Sequence, residues 1–206
     1  MTPGSRRQAG AVQFAGLILA GGIGRRFGGP KAFARLPDGR TFLEACRDAL
    51  RAAGASVVAG TLPHGATHEE FAGLRSLPLP EPGLDMLASV RWGLRHLISD
   101  RTWESVVVLP VDHPLVAPET VLALVGRRVA AAVPAYRGKH GHPICVARGV
   151  AERVAREQLV GRDLRDILKT VGVVDVAVED AGVIANCNTP EALRDHLLRA
   201  SRLGRP

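Results

Sequence analysis

The sequence predicts an α/β fold in which helices pack against a mostly parallel central sheet. The apolar run 105–109 is rich in β-branched residues, which is typical of a central strand buried on both faces. Amphipathic segments alternate with such runs along the chain, as they do in βαβ units. Only 4% of the residues are aromatic, so alanine, valine and leucine must fill the core, as suits helices on a parallel sheet.

The chain of 206 residues fits one domain of this class and shows no internal repeat or low-complexity tract. Residues 1–13 are small, polar and basic without periodicity, and we expect them to form a disordered tail. Residues 14–200 are expected to form a single domain, and 201–206 a flexible C-terminus.

The net charge is +7, from 27 Lys and Arg against 20 Asp and Glu. Nucleic-acid binding is disfavoured because no predicted element interleaves basic with aromatic residues. A membrane span is disfavoured because no apolar run reaches the roughly 20 residues that such a span needs. The twin arginines at 6–7 resemble an export signal, but that interpretation would place the following glycine-rich segment in a signal peptide without a clear cleavage site. Three cysteines without paired spacing favour a reducing compartment, so we expect a cytoplasmic protein.

The first predicted strand ends at Leu19. A capping box of Thr41 and Glu44 then predicts a helix that ends at Gly54. The His and Glu side chains at 64–70 match no helix-based pair of metal ligands and are interpreted as part of a solvated loop. The other predicted elements are, in order, a strand at 56–59, an irregular stretch at 60–82, a helix after the break at 82–83, the strand at 105–109, a helix at 118–129, a strand at 130–135, a helix at 149–158, a helix opening at 161–165, a strand at 171–178 and a last helix from 190.

The most informative segment follows the first strand. It carries five glycines between 21 and 29, together with Arg26 and Lys31. Glycines allow positive φ and leave backbone N–H groups uncovered, so these groups can point into a phosphate while the two side chains supply positive charge. The segment predicts an anion-binding loop at the carboxyl edge of the sheet, where open α/β folds bind ligands. The alternative is a glycine-rich turn with exposed arginines.

Two familiar phosphate-binding loops do not fit this segment. The dinucleotide fingerprint G-x-G-x-x-G fails because, counting from Gly22, its third glycine position is Phe27, and the second strand carries no acid for a ribose. This disfavours a dehydrogenase. A P-loop fails because Ala32 follows the lysine where a Ser or Thr hydroxyl would bind Mg²⁺.

Asp112 stands at the carboxyl end of the strand at 105–109, on the edge where the glycine loop is expected. A carboxylate there can bind Mg²⁺, although it could instead cap the helix that begins at Pro118 or close the turn before it. Asn186 and Asn188 alternate by two, so their amides are expected to share one face of an extended segment. Alternatively, both amides satisfy loop backbone groups.

These segments together resemble the molybdenum cofactor nucleotidyltransferases of the MobA-like and MocA-like group. The resemblance rests on Leu-Ala-Gly before G-x-G-x-R with a lysine five residues on, on Asp-x-Pro at Asp112, and on Asn-x-Asn-Thr-Pro at 186–190. It covers about residues 15–198. It implies a Rossmann-like three-layer sandwich with a mostly parallel central sheet, of the nucleotide-diphospho-sugar transferase type.

The resemblance also implies roles for individual residues. Asp85 departs from the family pattern, which usually has a small or uncharged residue there. The Gly-His-Pro turn at 141–143 suggests a role for His142 on the acceptor side, against the alternative of a turn histidine held by hydrogen bonds. The implied roles are: catalytic, Arg26, Lys31 and Asp112; nucleotide-binding, Leu19, Ala20, Gly21, Gly22, Gly24, Lys31, Gly83 and Ser89; metal-binding, Asp112 and Asn186; substrate-side, His142, Asn188 and Arg162, with Arg165 as an alternative phosphate contact.

The function that the resemblance implies is Mg²⁺-dependent transfer of a nucleoside monophosphate to a phosphate-bearing acceptor with release of pyrophosphate. The implied acceptor is molybdopterin, and transient contact with a molybdoenzyme or a cofactor-insertion protein would follow. GTP is favoured over CTP because Leu-Ala-Gly-Gly is typical of guanylyltransferases, and a methyl group at Gly21 would crowd a purine. The alternatives are transfer to a sugar phosphate or another small phosphate, and a non-catalytic nucleotide-binding protein on the same fold.

Overall fold

The computed structural model describes residues 12–22, 24, 29–66 and 73–202, and within them an eight-stranded mixed sheet carries helices on both faces. The strands are β1 Phe14–Leu19, β2 Val57–Leu62, β3 Arg75–Pro78, β4 Ser105–Pro110, β5 Ala131–Tyr136, β6 Lys139–His140, β7 Ile144–Ala147 and β8 Val174–Ala177. The helices are α1 Phe42–Ala52, α2 Met86–Leu97, α3 Pro118–Val125, α4 Arg148–Ala155, α5 Leu164–Lys169 and α6 Pro190–Arg202, with short 3-10 helices at Lys31–Phe33 and Ala181–Ile184.

The strand order is β3-β2-β1-β4-β7-β5-β6, and β8 pairs with β5. The four strands β3, β2, β1 and β4 are parallel, so their carboxyl ends meet at one edge of the sheet. β7 runs antiparallel between β4 and β5. The predicted α/β class with a mostly parallel sheet is confirmed.

Side chains that alternate along the strands build two separate core layers. On β1, Phe14 and Ile18 belong to the layer beneath α1, α3 and α6, whereas Ala15 and Leu17 belong to the layer beneath α2, α4 and α5. All four side chains are buried. The predicted three-layer sandwich follows directly from this alternation, because each face of the sheet must be covered by helices.

The start of α1 and the end of β1 are confirmed as predicted. The Thr41 side chain accepts a hydrogen bond from the Glu44 amide (3.1 Å), and the Glu44 carboxylate accepts one from the Thr41 amide (2.7 Å). Beyond Ala53, Gly54 takes a φ of +89°, a conformation in which glycine carries no steric cost.

Other boundaries were predicted wrongly. The stretch 60–82 contains the end of β2 and all of β3, a four-residue strand ending in proline whose pattern is too short to recognise from periodicity. The predicted helix 118–129 ends at Val125, since Gly126 follows and Arg128 adopts a φ of +50°. Helix α4 and strand β8 are likewise shorter than predicted.

The chain ends lie partly outside the described residues. Of the predicted N-terminal tail, only residues 12 and 13 are described. Helix α6 extends to Arg202 and so includes the first two residues of the predicted C-terminal segment 201–206. Among the described residues, no helix is long and apolar enough to cross a membrane.

Candidate functional site

The candidate site lies where β1 and β4 end side by side. Leu19 pairs with Pro110 in the parallel ladder, and the hydrogen bond from the Val111 amide to the Leu19 carbonyl (3.1 Å) continues that pairing one residue further. The glycine segment after β1 and the turn that carries Asp112 therefore leave the sheet together. Shared strand register is the reason that two segments some 90 residues apart in sequence meet here.

The glycine segment is anchored on both sides of residues 25–28, which lie outside the described part of the chain. Gly24 has a φ of +60°, and a Cβ atom there would stand 1.8 Å from the Gly29 carbonyl oxygen, so only glycine fits. Pro30 then leads into the 3-10 helix Lys31–Phe33, whose first residue points its side chain toward β4.

A cavity of about 350 Å³ opens at this edge of the sheet. Its walls are the glycine segment, the end of β4, the start of α2 and the segment before α6. The residues that line it are Leu19, Gly21, Gly22, Gly24, Lys31, Leu84, Met86, Ser89, Pro110, Val111, Asp112 and Asn188.

Lys31, Asp112 and Asn188 meet inside this cavity. The Lys31 ammonium lies 3.3 Å from Asp112 Oδ2 and also donates a hydrogen bond to Asn188 Oδ1. Their exposure suits a binding site, since the Lys31 and Asp112 side chains keep only 20% and 17% of their accessible surface. One cation and two oxygen acceptors from three distant segments thus form a compact polar cluster on an otherwise mostly apolar wall.

The backbone fixes this cluster from behind. The Cys187 amide donates to the Asp112 carbonyl (2.7 Å), which ties the segment before α6 to the turn after β4. The Cys46 thiol of α1 lies 3.9 Å from the carbonyl oxygens of Val111 and His113, on either side of the aspartate. Burial raises the pKa of both thiols, that of Cys187 to about 12, so neither is a nucleophile at neutral pH.

Helix α2 closes the other side of the cavity. Asp85 is its N-cap, and its carboxylate accepts the Ala88 amide (2.7 Å), so the unusual aspartate stabilises the helix start. The Ser89 hydroxyl donates to the Asp85 carbonyl (2.9 Å) while Ser89 lines the cavity as predicted. Gly83 has a φ of +82° in the turn before the helix but does not line the cavity.

Several predicted site residues are not part of this cluster in the described structure. The predicted role of Arg26 cannot be placed, because Arg26 lies outside the described residues. Asn186 is exposed and does not line the cavity, whereas Asn188 does, so the two amides occupy different surroundings. Arg162 keeps 89% of its side-chain surface exposed and pairs with Asp166 at 3.7 Å. The metal role of Asn186 and the substrate role of Arg162 stay predictions.

His142 lies behind the Asp112 turn. Its ring centroid is 4.8 Å from that of His113, which is 4% exposed. Burial, the neighbouring His113 and the Arg165 guanidinium lower the pKa of His142 to about 3, and burial also lowers the pKa of His113 against the opposing charge of Asp112. Both imidazoles are therefore neutral at pH 7. In the sequence, His113 is only the variable middle residue of the Asp-x-Pro motif, and nothing in its local pattern indicates this burial.

Sequence reasoning did not identify four apolar residues that line the cavity: Leu84, Met86, Pro110 and Val111. Pro110 and Val111 could have been inferred from the strand end that precedes Asp112. Met86 occupies the first turn of α2 and is exposed at the cavity mouth, a position that depends on how α2 packs and not on its own sequence pattern.

The cluster fits a hard divalent cation. Carboxylate and amide oxygens are the ligands that Mg²⁺ and Mn²⁺ prefer, and Asp112 and Asn188 present both types at the cavity wall. Among the described residues no group of three or more His, Cys, Asp or Glu could hold a metal by itself.

Comparisons with known proteins identify the family of this chain. A family model described as the MobA-like NTP transferase domain matches residues 16–176. A protein of Bacillus velezensis described as a probable molybdenum cofactor guanylyltransferase is 30% identical over 187 residues, which cover 85% of this chain and 90% of that protein.

Two solved structures extend the comparison. A homologue of Mycobacterium tuberculosis Rv0371c, from Mycobacterium sp. strain JC1, is 30% identical with a TM-score of 0.75, covering 92% of this chain and 98% of that one. Rv0371c itself, in complex with manganese, is 25% identical with a TM-score of 0.66, covering 91% of this chain and 99% of that one. Both structures therefore share the overall fold of this chain over nearly their whole length.

Proposed function

Because the chain belongs to the MobA-like NTP transferase family, and so is a nucleotidyltransferase, we propose that it transfers GMP from GTP to molybdopterin with release of pyrophosphate. The single observation that supports this most is the contact of Lys31 with Asp112 and Asn188 beside the glycine segment. The relatives described as probable molybdenum cofactor guanylyltransferases support molybdopterin as the acceptor and GTP as the donor.

The chain's own residues would act mainly by position and charge. Backbone amides of the glycine segment and the Lys31 ammonium would bind the triphosphate, leaving its α-phosphorus open to in-line attack by an acceptor phosphate. Asp112, with Asn188 beside it, would hold Mg²⁺, which when bound neutralises charge on the reacting phosphates. The thiols of Cys46 and Cys187 are buried and protonated, so neither is available as a nucleophile. Transfer would take one step, in which the acceptor phosphate attacks the α-phosphorus and pyrophosphate leaves.

The test is pyrophosphate release from each of the four common nucleoside triphosphates with Mg²⁺, with and without molybdopterin. We expect release that requires molybdopterin and is fastest with GTP, with the dinucleotide product identified by its mass. A parallel reaction with sugar phosphates in place of molybdopterin tests the alternative acceptor class. Absence of release with every triphosphate and acceptor would leave only a nucleotide-binding protein.

The choice of base is a separate prediction. In competition binding with Mg²⁺ present, GTP is expected to bind more tightly than CTP, and tighter CTP binding would overturn this assignment. However, the steric argument for GTP, that a methyl group at Gly21 would crowd a purine base, needs revision. A methyl group on Gly21 would not point freely into the cavity, because its Cβ would stand 2.3 Å from Leu79 Cδ1, a buried side chain.

Leu79 therefore decides how a Gly21→Ala variant is interpreted. If the methyl acts only by displacing Leu79, the double variant Gly21→Ala with Leu79→Ala should bind GTP and CTP in the wild-type ratio. If the methyl itself narrows the base site, the ratio should shift toward CTP in the single and the double variant alike. Leu79→Ala alone is the matched control for loss of core packing.

A further inference from the structure

Met86 is a large apolar side chain exposed at the mouth of the cavity. It keeps 61% of its accessible surface exposed and lines the cavity. Five other large apolar side chains are exposed in the described part of the chain, and none of them lines the cavity. Single exposed apolar side chains are common on protein surfaces, but apolar side chains gathered in a concave site are typical of ligand pockets. Met86 belongs to such a group, because Leu19 and Leu84, both partly buried, line the same cavity.

The backbone that carries Met86 is held in place. The Asp85 carboxylate accepts a hydrogen bond from the Ala88 amide (2.7 Å), and the Asp85 carbonyl accepts from the Ser89 amide (3.0 Å) and hydroxyl (2.9 Å). The next residue, Leu87, is buried in the core beneath α2. A methionine side chain has three rotatable bonds and adapts to irregular surfaces. Met86 therefore combines a fixed position with an adaptable tip.

The cavity divides into a charged part and an apolar part, as a nucleoside triphosphate does. Lys31, Asp112 and Asn188 contact one another at one place, whereas the segment that leads into α2 supplies Leu84 and Met86. The volume of about 350 Å³ is within the usual range of small-molecule sites. If the phosphates lie at Lys31, the apolar part is the space that remains for the base.

The glycine segment forms the wall opposite α2 without side chains. Gly21 and Gly22 both line the cavity. A Cβ atom on Gly22 would meet no atom within 4 Å, and one on Gly21 would meet the buried Leu79. A flat ring in this cavity would therefore have glycine backbone on one side and the Met86 side chain on the other.

We propose that Met86 packs its thioether on the face of the nucleotide base and holds a purine more tightly than a pyrimidine. Contacts between sulfur and an aromatic ring are favourable. The double ring of a purine offers a larger apolar face than the single ring of a pyrimidine, so more of its surface leaves water. That a nucleotide occupies the cavity rests on the proposed function, but the contact concerns the base alone and is independent of the acceptor.

Nuclear magnetic resonance gives the first test. The chain has two methionines, Met1 and Met86, so after ¹³C labelling of methionine methyl groups the Met86 signal is the one that a Met86→Leu variant lacks. With GTP and Mg²⁺ we expect this signal to move upfield, because an aromatic face shields a methyl group above it, and CTP should move it less. Inorganic tripolyphosphate carries the charge without a base and should leave the signal in place.

The second test measures nucleotide affinity by calorimetry with Mg²⁺. Met86→Ala should weaken GTP binding by about tenfold, the upper end of what a sulfur–aromatic contact supplies, and should weaken CTP binding less. Met86→Leu, which keeps an apolar side chain, should restore most of the affinity. Leu122→Ala is the matched control, because Leu122 is an exposed apolar residue of α3 that does not line the cavity. Since Met86 is exposed, Met86→Ala should keep the melting temperature of the parent, whereas a purely structural role would lower it.

The outcomes separate this contact from the proposed function. If GTP binds but leaves the Met86 signal unmoved, or moves it no more than tripolyphosphate does, the base contact is overturned and the proposed function stands. Equal GTP affinity in Met86→Ala and Leu122→Ala would also overturn the contact. If GTP produces the upfield shift but no GMP is transferred to molybdopterin, the contact is supported and the proposed function fails. If no nucleoside triphosphate binds, both fail.

Discussion

Replacing Asp112 with alanine is expected to lower kcat by about two to three orders of magnitude, the range measured for removal of one group that stabilises transition-state charge. The physical reason is that Asp112 is the one carboxylate among the described residues that line the cavity, and it contacts Lys31 there. Without it, a bound metal would lose its carboxylate ligand and the Lys31 ammonium would lose its anionic partner. Pyrophosphate release at saturating GTP and molybdopterin measures the effect.

The fold should survive this substitution. The contact that ties the Asp112 turn to the segment before α6 uses the backbone carbonyl of residue 112, which alanine retains. Asp175→Ala is the matched control, because that carboxylate is exposed and pairs only with His140 (2.9 Å) in the described structure. Turnover of Asp112→Ala within about tenfold of the parent, equivalent to ~1.4 kcal/mol of barrier, would exclude the metal role.

The convergence of Lys31 and Asp112 could be predicted from the sequence because it depends on strand direction alone. Two buried strands in a parallel sheet must end at the same edge, and each is followed by residues suited to phosphate or metal. Residue type and order along the chain are sufficient for that conclusion. The structure adds the distance between the Lys31 and Asp112 side chains, 3.3 Å.

The difference between Asn186 and Asn188 could not be predicted in the same way. Alternation by two places both amides on one face only if the segment is a regular strand, but the 3-10 helix Ala181–Ile184 ends directly before it and the Asn186 amide bonds to the Ile184 carbonyl (3.0 Å). The backbone therefore turns at this point, and Asn188 alone reaches Lys31. Tertiary packing, not local pattern, likewise places His142 behind the Asp112 turn.

The second large effect is expected for Lys31→Met, which keeps the apolar stem of the side chain and removes its charge. We expect kcat/KM for GTP to fall by about two orders of magnitude, since one positioned cation is worth several kcal/mol to a phosphoryl group in a water-poor site. Lys139→Met is the control, because Lys139 is exposed on β6, away from the cavity. If kcat/KM for GTP is the same in Lys31→Met and in the control, the Lys31 contacts have only a structural role.

The same variant should have the opposite effect on the metal. In the structure the Lys31 ammonium occupies the oxygens of Asp112 and Asn188 that a divalent cation would bind, so ammonium and metal compete for the same ligands. Removing the Lys31 charge also removes the repulsion between the ammonium and a bound cation, which at such distances is about 1–4 kcal/mol. Mn²⁺ binding without nucleotide is therefore expected to be tighter in Lys31→Met than in the parent. Weaker Mn²⁺ binding would mean that Lys31 helps to assemble the metal ligands, and its role in binding the triphosphate would then be secondary.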